Sequence, residues 1–188
     1  MNQHRGKFTE GLVNTQIVLK SLNVQPGQTI LDAGCGSGYM SKVFSDAVFE
    51  SGKVYALDPD HYFIEILKHE VQGTNIEAMI GDITVQTELK PSSLDILYLS
   101  TVIHGFSKEQ MQGFFREANR LLKPDALLAI VEIEKKKTPF GPPLKLRYSP
   151  EDLKNTIPMI PGDTVGVGEH FYMQIFKTGK MNKAAEGF

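Results

Sequence analysis

The stretch Ile30-Leu31-Asp32-Ala33-Gly34-Cys35-Gly36-Ser37-Gly38 reads as a short apolar strand, an acid at its end, and then three glycines spaced two apart. A helical pattern follows, with Tyr39, Met40, Val43 and Phe44 as its apolar positions. Glycine lets the backbone turn sharply and lets a ligand lie against the main chain without meeting a Cβ atom. The start of the helix adds unpaired N–H groups and a partial positive charge, which suit a carboxylate or a phosphate. These features together make a loop for a nucleotide-like ligand.

Neighbouring residues narrow the ligand. The dinucleotide fingerprint is Gly-x-Gly-x-x-Gly, its third glycine allowing close helix–strand packing. Counting from Gly34 and Gly36, that third position holds Tyr39, and the extra glycine falls one residue early at Gly38. Residues 53–57 read as a second strand that ends in Asp58-Pro59. An acid at about this distance, some 20 residues beyond the loop, can accept hydrogen bonds from ribose hydroxyls. No lysine and Ser/Thr pair closes the loop, which excludes a P-loop.

Asp32-Ala33-Gly34-Cys35-Gly36-Ser37-Gly38, Asp58, Gly81-Asp82-Ile83 and Leu94-Asp95-Ile96-Leu97-Tyr98-Leu99-Ser100 occur in that order. In this they resemble the class I S-adenosylmethionine-dependent methyltransferases, and most of all the small ubiquinone-biosynthesis-type methyltransferase-domain group. The resemblance covers nearly the whole chain, roughly residues 8–178. It implies S-adenosylmethionine as cofactor and a Rossmann-like, doubly wound α/β sheet. That sheet would be mostly parallel, with strand order 3-2-1-4-5-7-6 and a C-terminal antiparallel hairpin.

The resemblance also implies roles for residues, all at the carboxyl ends of strands, where open parallel sheets bind ligands. Asp32, Ala33, Gly34, Cys35, Gly36 and Gly38 would hold the methionine portion, with the loop and helix start meeting its carboxylate. Asp58, followed by Pro59, would take the ribose hydroxyls. Asp82 would accept from the adenine amine with Ile83 beside the ring, and the Ser100 carbonyl would receive the ammonium group. Structural roles stay open for the acids: Asp32 as a helix cap, and Asp58-Pro59 and Gly81-Asp82 as turns. The turn before the fifth strand departs from the group's usual Lys-Pro-Gly-Gly, reading Lys123-Pro124-Asp125-Ala126.

Methyl transfer is an in-line displacement at a positively charged sulfur. The cofactor carries the activated methyl, so the protein mainly binds and aligns. Where the nucleophile must lose a proton, a general base adds about 10²–10⁴ in rate. His104, four residues past Ser100, is the candidate catalytic base; its structural alternative is a loop histidine supporting the pocket wall. His61 and His69 fall on a predicted surface helix without metal-ligand spacing, His170 falls in a hairpin turn and His4 on an N-terminal arm, so no metal is expected. Glu132 and Glu134 alternate on the fifth strand and so share one side, read as solvent-facing, with one of them facing the rim as the alternative. Cys35 reads as a small residue fitting a crowded loop rather than as a nucleophile.

The acceptor is read as a small molecule. Ser100-Thr101-Val102-Ile103 is not the Asn/Asp-Pro-Pro-Tyr/Phe run of enzymes that methylate base amines in nucleic acids. Walls for the acceptor are expected from residues 5–8, from the rim near His104 and Phe106, and from the Pro-rich segment 138–147. Arg147 and Tyr148 either meet an anionic or aromatic acceptor or simply precede a helix. Two other functions stay open: a cofactor-binding partner subunit silent on its own, and a nicotinamide oxidoreductase, which Tyr39 and the displaced glycine disfavour.

The 188 residues suit one domain, with an arm at 1–7, a core at 8–178 and a tail at 179–188. Apolar residues make up 41% and charged residues 22%, an ordinary globular composition. A net charge of −2 leaves no electrostatic footprint for nucleic acid or an anionic membrane. Lys135-Lys136-Lys137 reads as a solvated strand exit. With no signal-peptide pattern, no bilayer-length apolar run and a single cysteine, a reducing cytoplasm is expected. Oligomeric state stays open.

Periodicity predicts strands at 29–33, 53–57, 76–80, 94–99 and 126–133, and helices at 10–22, 38–49, 60–72 and 107–122. Ser149-Pro150-Glu151-Asp152 starts a further helix, and residues 164–168 and 171–177 form the terminal hairpin.

Overall fold

The computed structural model describes residues 10–179. The arm at 1–7, His4, the proposed wall at 5–8 and residues 180–188 of the tail lie outside the described residues. In chain order the elements are α1 (Thr15–Ser21), β1 (Thr29–Ala33), α2 (Tyr39–Val48), β2 (Lys53–Asp58), α3 (His61–Glu70), β3 (Ile76–Ile80) and β4 (Leu94–Ser100), then α4 (Lys108–Leu121), β5 (Leu122–Ile133), α5 (Pro150–Thr156), β6 (Ile160–Gly168) and β7 (Phe171–Lys177). Short 3₁₀ turns occupy Ile103–Gly105 and Leu144–Leu146.

The sheet has the expected order 3-2-1-4-5-7-6. β3, β2, β1, β4 and β5 run parallel, and β5 pairs antiparallel with β7, which pairs antiparallel with β6. Order reverses between β1 and β4, which both lie at the centre, so their carboxyl ends frame the crevice. Both faces are covered, as near-continuous apolar strands require. One core joins Leu31, Leu97, Leu99, Leu128 and Phe176 to Phe114 and Leu121 of α4 and Leu153 of α5. The other joins Ile30, Val54, Ile96, Tyr98 and Met173 to Val18, Phe44 and Leu67 of α1, α2 and α3.

Local chemistry sets the helix ends. α4 and α5 both start on capping boxes, Ser107 with Gln110 and Ser149 with Asp152. Asp152 also pairs with Lys135 at 2.8 Å, and this hydrogen bond, with those from Ser149, lowers its carboxyl to about 2. α1 is shorter than expected. Asn14 caps it by accepting from Ile17 N, so residues 10–13 form a turn outside the helix. β5 starts at Leu122 rather than 126 and carries an irregularity opposite Leu94/Ile96. Asp125 takes a left-handed φ of 61° there, in the position where the family turn has glycine; aspartate is among the few side chains that tolerate it. Among the described residues no helix is long and apolar enough to cross a membrane.

Candidate active site

The glycine loop is drawn across β2. Gly34 N and Cys35 N both donate to the Leu57 carbonyl, at 2.7 and 3.1 Å, and Gly36 N donates to Asp58 Oδ2 at 2.9 Å. Gly34 has φ 76°, and a Cβ there would collide with Val102 from the loop after β4. Gly38, also at φ 76°, starts α2 with no side-chain cap, and its Cβ would run into Leu67 of α3. The displaced glycine therefore sets the closeness of two helices, while around Gly36 a Cβ would meet nothing within 4 Å. The open face of the loop is at Gly36.

A cavity of 230 Å³ lies above it, lined by Asp32, Gly34, Cys35, Gly36, Asp58 and Ser100 among the expected residues. Ala33, Gly38, Pro59, Asp82 and Ile83 do not line it. Ala33 is buried in the sheet and Ile83 in the core, at 4% exposure, so the Ile83 side chain is not free to lie along a ring. Asp82 forms a turn in which Oδ1 accepts from Thr84 N at 2.8 Å. The cavity also includes Glu10, Tyr39, Met40, Phe63, Thr101 and Val102, none anticipated from sequence. Only Thr101 carries a visible signal: a β-branched residue at φ 57°, held by Thr101 N to Val131 O at 2.8 Å and by its own hydroxyl to Ser100 O at 2.7 Å. Such strain concentrates at functional sites.

Two carboxylates meet in this crevice. Asp32 is 3% exposed and accepts from Ser41 Oγ at 2.6 Å. Burial pushes its carboxyl up to about 7, against the Ser41 hydrogen bond, and the nearby Asp58 charge adds to the rise. Asp58 accepts from Gly36 N and, at 2.8 Å, from Asp60 N, so each oxygen keeps a lone pair. Among the described residues no Lys, Arg or His forms an ion pair with either acid. The described part of the crevice is short of a positive charge. Burial, with Asp32 and Asp58 nearby, pushes the Cys35 thiol far above its ordinary value, so it stays protonated and unreactive.

His104 sits apart, in the 3₁₀ turn after β4, 20% exposed. Its Nδ1 lies 3.0 and 3.2 Å from the two oxygens of Glu132, and its backbone N donates to Glu132 at 3.4 Å. Glu132 is fully buried. The solvent-facing reading of Glu132 is therefore corrected: β5 is an inner strand covered on both faces, so alternation says nothing about exposure there. His104 opens onto a second cavity, of 350 Å³, with Ile133, Phe140, Gly141, Pro142 and Phe171 as walls. Thr101 lines both cavities.

Arg147 is largely buried and lines a further cavity beside His104, with Lys135, Lys145 and Tyr148. Its guanidinium donates to the carbonyls of Glu134, Lys136, Phe140 and Pro142 and to Thr138 Oγ1, all between 2.7 and 3.0 Å. The loop itself takes the Nε and Nη1 hydrogens and one of the two on Nη2, so the side chain serves chiefly to hold that loop. His61 and His69 lie on α3 as expected, and among the described residues no three His, Cys, Asp or Glu side chains cluster to hold a metal.

The sequence profile of the methyltransferase domain matches residues 31–130, more than half of the chain. The chain belongs to the methyltransferase-domain family. A crystal structure of an S-adenosylmethionine-dependent methyltransferase from Aquifex aeolicus is similar to this methyltransferase domain at 27% identity and TM-score 0.79, covering 89% of this chain and 91% of that one. An uncharacterized methyltransferase from Synechocystis is 26% identical over 133 residues, 70% of this chain and 59% of the relative. A demethylmenaquinone methyltransferase from Oceanobacillus iheyensis is 28% identical over 120 residues, 61% of this chain and 48% of the relative. The chain spans about half the length of the curated relatives it matches. The cofactor of this methyltransferase domain is S-adenosylmethionine.

Proposed function

We propose that this methyltransferase domain moves the methyl group of S-adenosylmethionine to a small-molecule acceptor seated beside His104. The observation that carries the reading is the acid pair of buried Asp32 and half-buried Asp58 at an open glycine loop, with no Lys, Arg or His ion-paired to either among the described residues. S-adenosylmethionine brings an ammonium and a sulfonium charge, and the residues present suit it. Asp32 and the Ser100 carbonyl would face the ammonium group, Asp58 the ribose hydroxyls, and the start of α2 the carboxylate. Asp82 keeps Oδ2 for the adenine amine.

When bound, the cofactor supplies an electrophilic methyl whose bond to sulfur breaks with the electron pair retained by sulfur, as the acceptor's lone pair forms the new bond. His104 takes the acceptor's proton at Nε2, because Nδ1 is committed to Glu132. Glu132 fixes the ring and stabilises the imidazolium that results. Alignment of acceptor and methyl is the chain's other contribution, worth up to roughly 7–11 kcal/mol in model reactions. A small-molecule acceptor agrees with the relative named for demethylmenaquinone. The single cysteine agrees with a reducing compartment, and on that ground we place the chain in the cytoplasm.

Isothermal titration with S-adenosylmethionine tests the reading. Binding in the micromolar range is expected, and no heat at high micromolar cofactor would end it. Labelled cofactor with a panel of acceptors then tests turnover.

A further inference from the structure

We infer that the second cavity is the acceptor's seat and that it takes a flat, uncharged ring system presenting a hydroxyl group to His104. The inference rests on the methyl-transfer reading above and goes beyond it in naming the chemistry of the acceptor.

Position comes first. The nucleophile must touch the methyl carbon, so the acceptor's chamber has to adjoin the cofactor crevice. Two cavities flank His104. One, lined by Lys145, Tyr148 and Asp152 among others, shares no residue with the crevice. The other shares Thr101, the strained residue where β4 ends. Contact selects the latter.

The walls then select the ligand. Ile133, Phe140, Pro142 and Phe171 make an apolar chamber, and the rings of Phe140 and Phe171 are stacked at 28° with centroids 6.1 Å apart. Aromatic walls favour a planar ring through offset or edge contacts, worth about 0.5–1.5 kcal/mol beyond area burial. A volume of 350 Å³ falls at the lower end of the roughly 300–1,000 Å³ range of small-molecule pockets, which suits one or two rings.

Charge is excluded on both sides. His104 is the one titratable side chain that lines the chamber among the described residues. Among the described residues no Lys or Arg lines the chamber, Arg147 lining the other cavity instead, so an anionic acceptor would be desolvated without a partner. Glu132 is fully buried behind the imidazole and already engaged with it, so a cationic acceptor gains nothing either. What remains is one hydrogen-bond position, the imidazole nitrogen opposite Nδ1. With Nδ1–H donated to Glu132, that nitrogen accepts, and the complementary ligand group is a hydroxyl donor on the ring.

The test uses the full chain saturated with S-adenosylhomocysteine and three probes built on one ring system: 2-naphthol, 2-naphthoate and 2-naphthylmethylammonium. Binding is read from the Ile133 methyl resonance in isoleucine-labelled protein, assigned with Ile133→Val. 2-Naphthol is expected to shift that resonance and to bind at least tenfold more tightly than either charged probe. Phe140 is 37% exposed on a loop held by Arg147, so Phe140→Ala leaves the fold intact. That variant should bind 2-naphthol about tenfold more weakly while its S-adenosylmethionine affinity stays within twofold of the parent. Equal or tighter binding of 2-naphthoate, a motionless Ile133 signal, or an unaffected Phe140→Ala would overturn the assignment. Absence of S-adenosylmethionine binding with an intact 2-naphthol response would instead overturn the methyl-transfer reading and leave the chamber as a ring-binding site.

Discussion

Replacing Asp32 by asparagine should strengthen the unliganded protein and weaken its grip on the cofactor. Burial raises the Asp32 carboxyl from 3.8 to about 7. A carboxyl raised in the folded state contributes its full stability below the unfolded value and loses it as pH climbs toward the folded one. Between pH 5 and 7 the unfolded chain has this group ionised while the folded chain holds the proton, so stability falls by about 1.4 kcal/mol per pH unit. Above 7 the loss levels off. Asparagine keeps an oxygen to accept from Ser41 Oγ but never ionises. Its advantage over aspartate should therefore grow by about 3 kcal/mol from pH 5 to pH 8. At 2–4 °C per kcal/mol for a chain of this size, that is a melting-temperature gain roughly 5–10 °C larger at pH 8. Cofactor binding should move the other way. Parent affinity for S-adenosylmethionine falls close to tenfold per pH unit below 7, because the ligand's charge must displace a proton, and in Asp32→Asn the affinity is flat with pH and at least tenfold weaker than the parent's at pH 8. Thermal melts and titrations at pH 5, 6, 7 and 8 measure both. A variant that melts lower than its parent at pH 8, or whose gain is the same at every pH, refutes the account of Asp32 as a charge held at a cost for a cationic ligand.

Gly113 of α4 faces the turn that presents Asp82, and a Cβ there would collide with the Thr84 carbonyl. Gly113→Ala should lower stability by about 1–3 kcal/mol, although in an open helix the same change gains about 1, and cofactor affinity should fall with it; melts and titration report both. Glu132→Leu should release His104 Nδ1, which ¹⁵N spectra of labelled histidine will register as a changed tautomer. On any acceptor found by screening, kcat should drop about 100-fold with S-adenosylmethionine affinity unchanged, whereas a wall role would leave kcat alone. Arg147→Ala should expose segment 138–147 to limited proteolysis, and Arg147→Lys should not restore protection, because an ammonium cannot span the five acceptors that a guanidinium reaches.

The alternation of strands and helices and the crevice at the β1 loop were legible because they depend on local signals: apolar runs, glycines and an acid at fixed spacing; the sheet order came only with the family resemblance that those motifs carry. What escaped the sequence was set by distant partners. Glu132 read as exposed, yet it is buried against a histidine 28 residues away, a pairing no period can report. Arg147 read as a possible ligand because its acceptors, backbone carbonyls from 134 to 142, have no residue signature. The start of α1 was placed too early because residues 10–13 continue the apolar pattern while Asn14 holds the cap. Gly38 showed itself as a departure from the dinucleotide pattern, but its reason, Leu67 of α3, lies in another element.

The single guanidinium inside segment 138–147 divides that loop into an inner frame and an outer skin. Its grip falls on main-chain oxygens at Phe140 and Pro142, so it is indifferent to which side chains those positions carry. Residues lining the chamber can be exchanged while the strap keeps its path. Retuning of this scaffold toward new acceptors should therefore begin at 140 and 142 and leave 147 alone.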